Sequence, residues 1–114
     1  GKLPGIQLNS EEKHVKNNFW IVSAVLSGDY KMEKEKIMEA FKAANIDSRP
    51  FFYPISSMPA YSKYAKGKDM KKINPVSYEI SPYGISFPSS FHLTEEEVDY
   101  VCDVFLGLFS KKKK

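Results

Sequence analysis

The plainest hydrophobic pattern lies at the C-terminal end. Val98, Val101, Cys102, Phe105 and Phe109 recur at i, i+3, i+4, i+7 and i+11, which predicts a long helix with one apolar stripe. Its start is written as a capping box: Thr94 as N-cap and Glu97 as its partner three residues on, with Leu93 and Val98 placed to staple the first turn. The three glutamates at 95–97 suit the positive end of a helix. A second amphipathic helix is predicted over 32–45, where Ile37, Phe41 and Ala44 share a face, Glu35 and Glu39 lie opposite, and Asn45 is a stop.

Between and before these helices the period changes. Phe19–Leu26 is a short β-branched and aromatic run bounded by Asn17-Asn18 and Ser27-Gly28, and reads as a central strand buried on both faces. Ile46–Tyr53 is extended because Pro50 lacks a ladder donor and pushes Arg49 out of the α region, so an edge or irregular strand is expected. Residues 55–61 read as loop or short helix and 61–69 as a polar loop. Asn74-Pro75 opens a short helix, and Ile85–Pro88 is a brief strand. The implied class is α/β with an α+β-like layout, a small sheet packed against two longer helices. Residues 1–17, with two glycines and a proline, read as a lead-in segment or linker, 18–109 as one domain, and 110–114 as a disordered lysine tail.

Composition refines this picture at three points. The chain has 114 residues and a formal charge of +3, but four of its positive charges are the terminal lysines, so the body is near neutral and carries no nucleic-acid footprint. The single cysteine, Cys102, precludes an internal disulfide and fits a reducing, cytoplasmic setting; in the apolar stripe it reads as a core residue. No apolar run approaches the ~18 residues of a membrane span, and no secretory leader is visible. The chain begins with Gly rather than Met, which fits a processed product, a tagged protein or a piece of something longer.

Little of the usual catalytic vocabulary is present. His14 and His92 stand apart in no metal-ligand pattern, the glycines form no phosphate-cradling loop, and the 95–97 glutamates are explained by capping. Lys63, Lys66 and Lys68, with Lys71 and Lys72, form a basic loop among Tyr61, Tyr64 and Tyr78, a weak candidate for holding an anion. The sharper candidate is Arg49, the one arginine beside 16 lysines. Its planar fork suits a carboxylate or phosphate, the prolines that follow stiffen its surroundings, Tyr53 could add a hydroxyl, and Phe51 or Phe52 an apolar wall. A structural arginine tied to a nearby acid or carbonyl is the alternative.

These residues carry a resemblance. Asn45-Ile46-Asp47-Ser48-Arg49-Pro50-Phe51-Phe52-Tyr53-Pro54 followed by Met58-Pro59-Ala60-Tyr61 resembles the "GI-x-(T/S)-R-x-F-F-Y-P-L-H…x-P-A-Y" run of the DegT/DnrJ/StrS sugar aminotransferases. Gly84–Ser90 and Leu93–Val101 are similar to that family's closing "G-(L/I)-x-L-P-S…L-T-E-E-D-I-x-x-V". The likeness runs from about Asn18 to Phe109 and is nearest in flavour to perosamine synthase-like members.

The resemblance implies a C-terminal small domain of a fold-type I enzyme dependent on pyridoxal phosphate, which passes an amino group from glutamate to a nucleotide-linked keto sugar. Arg49, Phe52 and Tyr53 then match motif residues near the substrate cleft. Ser56 stands where the motif has histidine, and Asn45 where it has glycine. The Schiff-base lysine, the acid facing the pyridine nitrogen and the phosphate cup belong to the family's large domain. This chain therefore implies no catalytic residue and no cofactor of its own, with the large domain, in the same or a neighbouring chain, as its partner. A fragment, a split gene product and a reused interaction or nucleotide-binding module are all consistent with this. A homo-oligomer formed through an exposed edge or patch is consistent with it as well.

Overall fold

The computed structural model describes residues 3–110; of the tail expected at 110–114, Ser110 is instead the last residue of a helix and 111–114 lie outside the described residues. Among the described residues, four strands form one antiparallel sheet in the order β1-β2-β4-β3: β1 Ile6–Leu8, β2 Ser23–Leu26, β3 Arg49–Pro50 and β4 Gly84–Ser86. Two longer helices, α1 Lys34–Ala43 and α5 Glu95–Ser110, pack on the sheet. Three short ones, α2 Ser62–Ala65, α3 Met70–Ile73 and α4 Pro75–Ile80, fill the excursion between β3 and β4. This is the mixed α/β architecture the periodicities imply.

Alternation places the core. Ala24 and Leu26 on β2 and Ile85 on β4 point to the face covered by Ile37 and Phe41 of α1 and Phe105 and Phe109 of α5. Phe105 sits edge-on to Phe41, Phe87 and Phe109, with ring centroids 6.2, 5.0 and 5.4 Å away. The capping box forms as written: the Thr94 N–H donates to Glu97 Oε2 at 2.9 Å and the Glu97 N–H to Thr94 Oγ1 at 3.3 Å. Asn45 ends α1 in the left-handed region at φ 57°, the conformation that favours glycine and that asparagine tolerates. Pro50 lies on an edge strand, where its missing N–H costs no ladder bond.

Three expectations are corrected. The lead-in segment holds β1, paired to β2 with Ile6 opposite Leu26, so it belongs to the sheet and is not merely a linker. The central strand is half the expected length and is buried on one face only, with Ala24 and Leu26 inside and Ser23 and Val25 half-buried. Its first half is captured by local side chains: Asn17 Oδ1 accepts from the Phe19 N–H and Asn18 Oδ1 from the Trp20 N–H, and Phe19 turns to φ 52°. Trp20 is left 76% exposed. On α5 the buried face runs through Val101, Val104, Phe105, Leu108 and Phe109; Val98 and Cys102 are exposed. The stripe of 98, 101, 102, 105 and 109 was therefore set about one residue off the true face, and Cys102 is not a core residue.

Candidate functional site

The wall of the site begins where β3 ends. After Pro50 the chain remains extended, and the Phe51 N–H donates to the Gly84 carbonyl at 3.3 Å. Phe51 lies directly over Gly84: a Cβ built there would stand 2.5 Å from Phe51 Cβ and Cγ. Gly84 has ordinary extended backbone (φ −104°), so glycine is required for space and not for conformation. Beyond this point no ladder takes up the carbonyls of Phe51 and Phe52.

Two core groups take them instead. Lys34, in the first turn of α1, is 2% exposed, and its Nζ donates to the Phe51 carbonyl at 3.1 Å and to Ser81 Oγ at 3.5 Å. Ser81 Oγ in turn donates to the Phe52 carbonyl at 2.9 Å. The same ammonium lies 3.6 Å from the centroid of the Tyr53 ring. Burial pushes the Lys34 amine below its ordinary range, with the neighbouring Glu35 carboxylate opposing the shift. The native amine thus loses its proton at lower pH than in the unfolded chain, where the reference is 10.5. In the window just below 10.5 the unfolded state binds the extra proton, so stability should rise with pH there and level off above it. Urea unfolding at stepped pH is expected to show this rise in the wild type relative to Lys34→Met.

Past the wall the chain folds back through two 3-10 turns, 55–57 and 59–61, and the short helices, leaving an open groove of about 550 Å³. Phe52, Tyr53, Tyr61 and Tyr64 give it aromatic sides. Its polar patch is Ser56, whose hydroxyl lies 3.2 Å from the Tyr78 hydroxyl and accepts from Asn74 Nδ2 at 3.4 Å. Phe52 is 70% exposed and Tyr53 half-exposed. Such large aromatic faces directed to water make this groove the candidate binding surface.

The structure brings together only part of the predicted set. Phe52 and Tyr53 line the groove, and Arg49 does not. Arg49 pairs with Ser86 across the sheet and reaches Asp47, Nη2 to Oδ2 at 3.1 Å, with both side chains 79% exposed. It is neither buried nor committed, because an exposed pair of this kind contributes about 0–1 kcal/mol. Lys63 and Lys66 line a shallower depression that shares Ser56 and Ala65 with the groove; Lys68 lines neither. Lys34 and Ser81 were not singled out from sequence as site residues; Asn74 was read as a helix start and Tyr78 as an aromatic beside the basic loop. The signal for Lys34 was present: it stands three and seven residues before Ile37 and Phe41, a lysine on the apolar face of its helix.

The groove was tested against the cofactor that the resemblance implies. Pyridoxal phosphate requires an uncommitted lysine amine, an acid at the pyridine nitrogen and donors for its phosphate. Lys34 is the buried lysine among the described residues, and its amine is occupied by Phe51, Ser81 and Tyr53. The buried polar residues among those described are Lys34, Ser81 and Ser86, with no carboxylate. These residues do not fit the cofactor. Among the described residues no cluster of His, Cys, Asp and Glu could hold a metal, and no helix is long and apolar enough to cross a membrane.

A small antiparallel sheet under two helices is a fold shared with solved structures described as sugar aminotransferases. A Streptococcus pneumoniae protein described as a sugar aminotransferase superposes with TM-score 0.77 in its apo-form and 0.78 in its PMP-form, at 22% identity over 93% of this chain and 26% of that one. The chain belongs to the DegT/DnrJ/EryC1/StrS aminotransferase family, whose sequence model matches residues 1–106. It is 32% identical over 108 residues to a GDP-perosamine synthase of Escherichia coli and 28% identical over 105 residues to one of Vibrio cholerae. Those matches take in 94% and 92% of this chain but 27% and 28% of the relatives, so the chain spans about a quarter of their length.

Proposed function

We propose that this chain is the small-domain portion of a nucleotide-sugar aminotransferase, in which an amino group passes from glutamate to a keto sugar nucleotide. Its own contribution is one wall of the substrate cleft, and on its own it transaminates nothing. The observation that carries this reading is the match of nearly the whole chain to a quarter of each relative, together with an open aromatic groove that lacks the groups the cofactor requires. Cofactor and chemistry then belong to the remaining three quarters of such a protein, in the same or a neighbouring chain. A cytoplasmic setting goes with this reading.

The wall's work is binding and orientation. Phe52 and Tyr53 offer ring faces against a sugar or base and keep water from them. Ser56, Asn74 and Tyr78 present a small hydrogen-bonding patch in place of the motif histidine. Arg49 can leave Asp47 at little cost and take a diphosphate oxygen in a charge-assisted bond of the same kind. Arg49 and the groove then meet different parts of one extended substrate.

The test joins this chain to the cofactor-bearing remainder of a GDP-perosamine synthase and follows amino transfer. Turnover is expected in the joined protein, absent from the chain alone, and reduced at least about tenfold in Arg49→Ala, the loss of one charged hydrogen bond. A folded, cofactor-loaded joined protein with no turnover would count against the reading. The depression with Lys63 and Lys66 beside the groove favours a second reading, a stand-alone nucleotide binder. Saturable binding of guanosine diphosphate to the chain alone at low salt, lost in Lys63→Ala/Lys66→Ala, would favour it.

A further inference from the structure

We propose that Lys34 is a positioning residue: its buried ammonium, acting directly and through Ser81, fixes the Phe51–Phe52–Tyr53 backbone and the Tyr53 ring, and so sets the shape of the groove wall. The functional meaning of this role rests on the reading of Phe52 and Tyr53 as a cleft wall.

The position of Lys34 is costly. A charged amine at 2% exposure, with neutral partners among the described residues, is disfavoured by desolvation. A methionine on the same apolar face of α1 would be buried more cheaply. What the ammonium supplies is location. β3 lasts two residues, and the wall begins just where sheet pairing gives out. The Phe51 carbonyl is held by Lys34 from α1, and the Phe52 carbonyl by Ser81 from the turn that leads into β4. Two rigid elements of the core thereby grip a segment that the sheet no longer holds. The ammonium also lies against one face of the Tyr53 ring, 3.6 Å from its centroid, which fixes the ring while half of the side chain stays open to the groove. The amine's lowered pKa reflects the same burial.

The experiment is nuclear magnetic resonance of the chain in wild type, Lys34→Met, Lys34→Arg and Ser81→Ala. In Lys34→Met the Tyr53 ring signals should shift and broaden, and the Phe51 amide should exchange about tenfold faster, the effect of losing one charged hydrogen bond. The amides of Ala24 and Ile85 should exchange no faster than in wild type. Lys34→Arg should restore the Tyr53 and Phe51 signals, and Ser81→Ala should move them in the same direction as Lys34→Met, less far. Unchanged Phe51 and Tyr53 signals in Lys34→Met would overturn the proposal. So would acceleration of all amides by one factor, or outright unfolding, because Lys34 would then hold the fold and not the wall. Turnover of the joined protein reads the cleft separately: wall signals that move as expected without any change in KM would leave Lys34 as a positioning residue and remove the cleft reading.

Discussion

Phe41→Ala is expected to lower stability by about 3–5 kcal/mol, the usual range for deleting a buried phenylalanine ring. Phe41 is fully buried, and its ring meets Phe87 and Phe105 at 6.0 and 6.2 Å, where α1, α5 and the sheet come together. The neighbouring aromatics are fixed by one another and cannot collapse into the space, so the cavity should persist. Domains of this size are stable by about 5–15 kcal/mol in total, and the midpoint of thermal unfolding should fall by at least about 10 °C. Calorimetry or urea unfolding checks this; a loss under about 1 kcal/mol would mean that the aromatic cluster is not the centre of the core.

Gly84→Ala is expected to have the second largest effect, about 1–3 kcal/mol, the cost of forcing an added methyl group into a filled space. The methyl would stand 2.5 Å from Phe51 Cβ and Cγ, too close to be relieved by rotating the ring alone. Phe51 must move off β4, carrying Phe52 and Tyr53 with it. The substitution should therefore lower the unfolding midpoint and alter the Tyr53 environment together, whereas Phe41→Ala should act on stability first. Urea unfolding and the Tyr53 ring signals distinguish the two; a stable Gly84→Ala with unmoved Tyr53 signals would show that the contact at 84 is soft.

The sequence was most legible where local chemistry decides structure. The Thr94/Glu97 box, the stop at Asn45 and the edge position of Pro50 rest on groups within a few residues of each other, and all three formed. Reading failed where a distant partner or a competing side chain decided. β1 exists because β2 offers it an edge, which the glycine- and proline-bearing lead-in does not advertise. The Phe19–Val22 half of the expected strand was lost to Asn17 and Asn18, two residues that read as mere boundary markers. On α5, Val104 and Leu108 fitted an apolar face as well as Val98 and Cys102 did, and only packing against Phe41 and Phe87 chose between them.

The candidate site divides in the same way. Phe52 and Tyr53 line the groove, where a short proline-stiffened aromatic run beyond the edge strand leaves them exposed. Arg49 stood out by composition, yet its fork reaches Asp47 beside the groove and not within it. Lys34 was hidden by the habit of assigning lysine to the wet face of a helix. Its partners, Phe51 and Ser81, lie 17 and 47 residues away, so nothing local announced them.

The central claim is that this chain supplies a substrate-facing wall while the cofactor is held elsewhere. Titration of pyridoxal phosphate against the chain, followed by its absorbance and by borohydride trapping, tests that claim most directly. The account predicts no saturable band and only scattered trapping among exposed lysines. A band that saturates at one equivalent, with the adduct trapped on a single lysine, would contradict it.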